Sequence, residues 1–269
     1  MKPAPFELAR PATLAEAARR LREGDGMARA MAGGQSLVPM LNLRLAPLEL
    51  VVDISRIDAL KGVKVSGKTV TIGAATTHYD VAGDAKLQKA CPALAHLASL
   101  IGDPAVRHKG TIGGSIANND PAADYPAAML ALNATIVTNK REIAADKFFK
   151  GLFETALKDG EIVTAVSFTA PAKAGYEKFR NPASRYAIVG VFVAKDKDGI
   201  RVAVTGAGDD GVFRSKEMEA ALAKAFDAAS LDGVKVPAGN LMTDMHASAD
   251  YRANLVKVMA KRAVAAANA

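Results

Sequence analysis

Apolar and polar positions along this chain change period several times. Over residues 13–21 the apolar side chains Leu14, Ala17, Ala18 and Leu21 share one helical face, Thr13 and Glu16 form a T-x-x-E capping box, and Gly24 ends the segment. The short apolar run 27–32 stops at Gly33-Gly34 and reads as a strand entering a glycine turn. Residues 48–54 read as another strand, and 63–65 with 69–72 as a hairpin about Gly67. From 91 to 101 the pattern turns helical, with Leu94, Leu97, Ala98 and Ile101 on one face. A glycine-rich stretch at 110–115 follows, then a helix over about 125–132 and a strand over 162–168. Elements of both kinds alternate, which predicts a mixed helix-and-sheet fold.

The small-residue stretch 170–175 is the best candidate for a domain boundary, and divides the chain into 1–172 and 173–269. Beyond it come strands near 176–179, 187–194 and 201–206, the last two joined by turn residues 196–199, and helices near 215–226 and 250–266. They predict a small C-terminal α+β module.

Composition removes several function classes. The apolar fraction of 50% excludes general disorder, and no apolar run reaches the ~18 residues of a membrane span, so a soluble, cytoplasmic protein is expected. A single cysteine, Cys91, excludes an internal disulfide, and with four scattered histidines it leaves no zinc motif; an iron–sulfur cluster needs about four thiolates. The net charge of +7 is spread over both halves without a basic stripe, aromatics make up 5%, and there is no Trp, so nucleic acid is not an expected partner.

The candidate chemistry lies in two glycine turns. Ala32-Gly33-Gly34-Gln35-Ser36 lets backbone N–H groups approach a ligand without an intervening Cβ, a geometry suited to a pyrophosphate; the same residues also make a plain strand-to-helix turn. Thr111-Ile112-Gly113-Gly114-Ser115 repeats that chemistry far downstream, and two such turns can converge on one diphosphate. Neither has the G-x-G-x-x-G or G-K-[ST] spacing of other nucleotide loops. Asp124 either caps the helix after it or accepts hydrogen bonds from cofactor hydroxyls. Arg107-His108-Lys109 either lies near phosphate or is a solvated basic turn, and no histidine has a nucleophile partner, so no catalytic residue is assigned.

The segments AGGQSLVPMLNLRL at 32–45, IGAATTHYDVA at 72–82 and IGDPAVRHKGTIGGSIANNDPAADYP at 101–126 closely resemble the FAD-binding medium subunit of the molybdenum hydroxylases, the xanthine dehydrogenase and carbon monoxide dehydrogenase family; EIVTAVSF at 161–168, YEKF at 176–179 and YRANLVKVMAKRAV at 251–264 extend the resemblance over nearly the whole chain. The resemblance implies a fold of the vanillyl-alcohol-oxidase type (PCMH-type), an FAD-binding domain of two α+β subdomains followed by a smaller domain. It implies that Ala32, Gly33, Gly34, Gln35, Ser36 and Leu37, with Thr111, Ile112, Gly113, Gly114 and Ser115, hold the diphosphate region. It implies that Thr76, Thr77, His78, Asp124, Val163 and Lys178 line the cofactor. Ile101 and Tyr186 fall where side chains lie against the isoalloxazine ring in relatives, although Ile101 sits on an apolar helix face and Tyr186 leads a strand, so each reads equally as core.

Relatives often carry His at Gln35, Asn at Ser115 and Asp at Arg185; the first two replacements keep hydrogen-bonding capacity, and the third changes polarity near the ring. With no histidine in either turn, the FAD is expected to be non-covalent. The resemblance further implies an electron relay, in which a molybdenum cofactor on a large subunit and [2Fe–2S] clusters on a small subunit feed this flavin, in a dimer of heterotrimers. An exposed apolar interface on this chain follows. A self-sufficient FAD oxidase or dehydrogenase of the same fold, or a non-enzymatic nucleotide-binding module, are the rival readings.

Overall fold

In the computed structural model, which describes residues 2–269, the chain builds three larger sheets in succession, with a small two-stranded sheet inside the second module. The first module comprises strand β1 (Glu7–Ala9), helix α1 (Leu14–Glu23), β2 (Ala28–Met31), α2 (Leu37–Asn42) and β3 (Leu50–Asp53). Its strands are parallel in the order β1-β3-β2. Half of the capping box forms: Thr13 Oγ1 accepts the Glu16 N–H at 3.2 Å, satisfying a donor that the first helical turn leaves open, whereas the Glu16 carboxylate accepts the N–H of Ala12, one residue before the cap, at 3.2 Å rather than that of Thr13. Ala17 and Ala18 pack with Leu50, Val52 and Ile57 beneath.

The middle module runs β4 (Val63–Ser66), β5 (Thr69–Gly73), α3 (His78–Gly83), α4 (Ala85–Ala90), α5 (Pro92–Ser99), α6 (Pro104–Arg107), α7 (Ile112–Asn118), α8 (Tyr125–Ala131), β6 (Thr135–Thr138), β7 (Glu142–Ala144), α9 (Ala145–Phe148), β8 (Phe149–Gly151), β9 (Glu154–Thr155) and β10 (Val163–Thr169). Its main sheet is antiparallel in the order β4-β5-β10-β6-β7. The glycine stretch at 110–115, read from sequence as a loop, forms the first turn of α7 from Ile112 onward, with Thr111 as N-cap. Gly-Gly is a poor helix former, but the Thr111 hydroxyl accepts the Gly114 N–H and fixes that turn.

The last module is β11 (Lys173–Arg180), β12 (Ala187–Asp196), β13 (Gly199–Thr205), β14 (Phe213–Arg214), α10 (Lys216–Lys224) and α11 (Ala249–Asn268), its sheet antiparallel in the order β11-β12-β13-β14. Strand β12 is buried on both faces from Ala187 to Ala194. Phe192 and Ala194, with Tyr176 and Ala203, join the core of the middle module, whereas Val191 and Val193 face the other way onto Leu255, Met259 and Val264. The two modules therefore share a core. The stretch expected to be a domain boundary contains the start of β11, and Gly175 within it is a packing residue: a β-carbon there would fall 1.9 Å from the Ala263 carbonyl oxygen of α11. Among the described residues no helix is long and apolar enough to cross a membrane.

Candidate functional site

Both glycine turns come together, at the junction of the first and middle modules. A β-carbon on Gly33 would fall 1.9 Å from the Lys109 carbonyl oxygen and 2.8 Å from Gly110 Cα, so only glycine lets the 32–36 turn lie against the approach to α7. Gly34 takes φ +72°, a left-handed conformation that aims successive amides to one side. The N–H groups of Gly33, Gly34, Gln35, Ser36 and Leu37 donate to no acceptor among the described residues. Five adjacent free amides at an exposed turn form an anion-binding concavity.

The second turn differs from its sequence reading. Ile112 N–H donates to Thr76 O at 3.2 Å, Gly113 N–H to Ala74 O at 2.9 Å, Gly114 N–H to Thr111 Oγ1 at 3.1 Å and Ser115 N–H to Thr111 O at 3.0 Å. These amides stitch α7 to the end of β5 and are already bonded. Gly113 is needed because a β-carbon would overlap Ala74, with its carbonyl oxygen 2.7 Å away. Gly114 is exposed, leaving the helix end open to close approach by a ligand.

Around this junction the other expected residues divide. The Thr76 hydroxyl is buried and bonded to Gly62, accepting its N–H at 2.9 Å, and Thr77 caps α3 by accepting the Asp80 N–H at 3.1 Å. His78 is buried at the start of α3, its backbone N–H on Gly110 O at 2.9 Å and its ring 5.4 Å from that of Tyr125. Burial first, and the Arg107 guanidinium second, hold its pKa down to about 4, so the imidazole is neutral near pH 7. Val163 is buried at the start of β10, and its neighbour Thr164 accepts the Ala74 N–H through its carbonyl at 2.9 Å.

Asp124 does not cap α8. Its backbone is already helical (φ −74°, ψ −44°) and its carboxylate makes no cap bond. Instead it is buried against β11, where Lys178 Nζ lies 2.8 Å from Oδ1 and the Tyr176 hydroxyl donates to the same oxygen. Burial pushes the Asp124 carboxyl up, with Lys178 and Tyr176 pulling against it. The Lys178 ammonium is close to Asp124 but poorly aligned for a hydrogen bond. It joins His78 Nδ1 and the Tyr125 hydroxyl among four buried polar side-chain atoms that lack a hydrogen-bond partner. Three of the four thus lie along one run of contacts, from His78 through Tyr125 and its neighbour Asp124 to Lys178.

The segments that carry Ile101 and Tyr186 are linked through their neighbours Gly102 and Arg185. The Arg107 guanidinium holds the Ile101 and Gly102 carbonyls, each at 3.0 Å, and Arg185 reaches Gly102 O at 3.3 Å from the turn preceding Tyr186. Tyr186 is half exposed; burial, then the Asp120 and Asp124 carboxylates, raise its phenol pKa. Sequence reasoning assigned no role to Tyr176 or Tyr125. Tyr176 is two residues from Lys178 on a strand, hence on the same face, and that spacing was the available signal.

A row of free amides beside an exposed helix end, with a buried polar cluster at the neighbouring module contact, gives a nucleotide-cofactor protein of mixed helix-and-sheet architecture. The family described as "FAD binding domain in molybdopterin dehydrogenase" matches residues 4–171. The chain is 35% identical to the carbon monoxide dehydrogenase medium chain of Hydrogenophaga pseudoflava, covering 99% of this chain and 98% of that one, and 36% identical to the glyceraldehyde dehydrogenase medium chain of Sulfolobus acidocaldarius, covering 98% of each. Its structure superposes on reconstituted CO dehydrogenase from Oligotropha carboxidovorans with a TM-score of 0.91 at 32% identity, over 99% of each chain. The chain belongs to the FAD-binding medium subunits of the molybdenum hydroxylase family, and is an oxidoreductase subunit.

Proposed function

We propose that this chain holds FAD non-covalently at the module junction and works as the electron-transferring subunit of a heteromeric molybdenum hydroxylase. It would receive electrons from [2Fe–2S] clusters on a small subunit, fed by a molybdenum cofactor on a large subunit, and release them to an external acceptor. The observation that carries this is the row of five unbonded amides at Gly33–Leu37, pressed by Gly33 against the residues leading into α7. They fit a diphosphate, with the exposed Gly114 end of α7 opposite and the Ser115 hydroxyl beside it.

FAD, when bound, supplies the redox chemistry; the protein orients it and tunes its surroundings. In this reading Thr76, Thr77 and Val163 shape the wall next to the diphosphate, and neutral His78 avoids placing a fixed charge there. Asp124 and Lys178 offer a buried carboxylate and an ammonium with free protons to the cofactor's polar atoms. Ile101 and Tyr186 flank the ring from opposite modules, held in register by Arg107 and Arg185 on the Gly102 carbonyl. The fold reading is the two-subdomain vanillyl-alcohol-oxidase type over 1–172, with 173–269 as the C-terminal domain, in a cytoplasmic dimer of heterotrimers. The single buried Cys91, its thiol pushed up to about 12 by burial, supports placing every thiolate-held centre on another chain.

Purification tests the proposal. The chain should retain or take up one FAD, and its flavin should be reduced through the partner subunits but not by organic donors added to the chain alone. Reduction by an organic donor without partners would favour a self-sufficient enzyme, and failure to take up FAD would defeat the reading.

A further inference from the structure

The last helix sends one charged side chain into the protein. Arg252 lies near the start of α11 with its side chain only 3% exposed. Its Nη1 donates to the carbonyls of Ile188 and Gly206, its Nη2 donates to Asp244 Oδ2 at 2.7 Å, and its Nε has no partner. The paired register of β12 and β13 ends at Gly190 and Thr205, so both carbonyls lie just past the ladder, and the guanidinium supplies the donor that a further rung would have supplied. A buried cation is costly to keep, and an apolar side chain of similar volume often packs as well. What the guanidinium adds is geometry: a rigid planar fork fixes two carbonyls and a carboxylate relative to one another.

Both of the strand ends held in this way lead to residues expected at the flavin. On β12, Ile188 is two residues past Tyr186, whose carbonyl closes the turn from β11 by accepting the Asn181 N–H at 2.8 Å. Gly206 follows Thr205 at the end of β13. The Gly206 N–H donates to Pro121 O at 2.9 Å and the Thr205 hydroxyl donates to Ala123 O at 2.6 Å, which fixes the segment just before Asp124. Gly206 takes φ +78°, and a β-carbon on it would fall 2.4 Å from the Ala187 carbonyl oxygen, so the two strand ends are in contact. Asp244 is itself held in its loop, its Oδ1 accepting the N–H groups of His246 at 2.8 Å and Ala247 at 3.1 Å.

We propose that Arg252 is a positioning residue for the flavin: by pinning Ile188 and Gly206 to α11 it sets where the Tyr186 turn and the Asp124 carboxylate stand beside the cofactor, acting through those segments rather than by contact. The inference rests on the FAD reading above and adds α11 to the elements that shape that site.

The test uses the purified full chain, first without FAD and then with it. Arg252→Met removes the fork and keeps an apolar filling, whereas Met259→Ala opens a cavity in the core face of the same helix and gives the effect of loosening α11 alone. Without FAD, and at the same interval below each variant's melting temperature, the Gly206 and Asn181 amides should exchange about ten-fold or more faster in Arg252→Met than in Met259→Ala. With FAD, Arg252→Met should bind about ten-fold or more weaker and change the visible circular dichroism of the bound flavin, whereas Met259→Ala should keep the wild-type spectrum and an affinity within about two-fold. Arg252→Lys keeps the charge and its Asp244 partner but has no planar fork; it should fold and show the same changes in smaller measure, which covers failure of Arg252→Met to fold. Arg252 variants that match Met259→Ala in amide exchange and in the flavin spectrum overturn the proposal. Faster exchange at Gly206 and Asn181 with unchanged flavin affinity and spectrum also overturns it, and leaves the FAD reading intact. Wild-type chain that takes up no FAD would overturn the FAD reading, and with it this inference.

Discussion

Gly33 and Gly34 differ in why they must be glycine, and the difference is testable. Gly33 is held by contact: even alanine would place its β-carbon on the Lys109 carbonyl, forcing the two turns apart. Gly34 is held by conformation, φ +72°, with Val38 Cγ2 only 3.0 Å from a would-be β-carbon. Gly33→Ala should therefore lose bound flavin and also stability, by about 1–3 kcal/mol as an overpacked contact. Gly34→Val should lose flavin at a strain cost of about 1–3 kcal/mol. The ratio of flavin to protein absorbance after gel filtration, with urea melts, reads both. The motif made the glycines visible in the sequence. Which amides remain free was not visible, because the commitments of Ile112 and Gly113 depend on β5 docking beside α7.

His78 gives a second prediction at this scale. Its folded pKa of about 4 lies below the ordinary 6.5, so between those values the unfolded chain binds a proton that the folded chain refuses. Stability is full above about pH 6.5 and falls as pH drops toward 4, by roughly 3 kcal/mol over the window. His78→Gln should flatten that part of the stability-against-pH curve. An unchanged slope in urea titrations would remove the assignment.

At the scale of elements, the meeting of α8 with β11 rests on Asp124 and Lys178, both almost fully buried. Asp124→Leu strands a buried ammonium and should cost about 3–5 kcal/mol, whereas Asp124→Leu combined with Lys178→Met should recover much of that loss. Chemical denaturation of the single and double variants checks it; equal losses would mean the pair contributes little beyond packing. The sequence suggested helix capping for Asp124 because Asp before Tyr-Pro is a local signal, while its partners lie 52 or more residues away on another strand. Periodicity found β3, β5, α5, β10 and β12, whose patterns are long or strongly apolar. It missed β1, β6 and β7, which are three or four residues long and stabilised by distant partners. It passed over α7 because Gly-Gly reads as a break, although Thr111 caps the helix. The sequence put Gly175 at a domain boundary, yet its closeness to Ala263 packs α11 on β11. Gly175→Val should therefore destabilise the last module and lower the melting temperature, with Gly175→Ala intermediate.

For the whole molecule, the composition already pointed outward. One cysteine leaves this chain unable to hold an iron–sulfur cluster by itself, and the Val38–Leu45 segment exposes several large apolar side chains. The joining of middle and last modules through Tyr176, Phe192 and Ala203 was not legible, since β12 alternates between two cores and each half of its pattern looks equally apolar. That joining brings Arg185, beside Tyr186, to the carbonyl of Gly102, beside Ile101, two segments separated by most of the middle module in sequence.

Amide hydrogen exchange at single-residue resolution, with and without FAD, tests the central claim most directly. The account predicts that Gly33–Leu37 exchange readily in the free chain and become protected in step with FAD uptake, while Ile112–Ser115 are protected throughout. Stoichiometric FAD binding that leaves Gly33–Leu37 exchanging as before would contradict it.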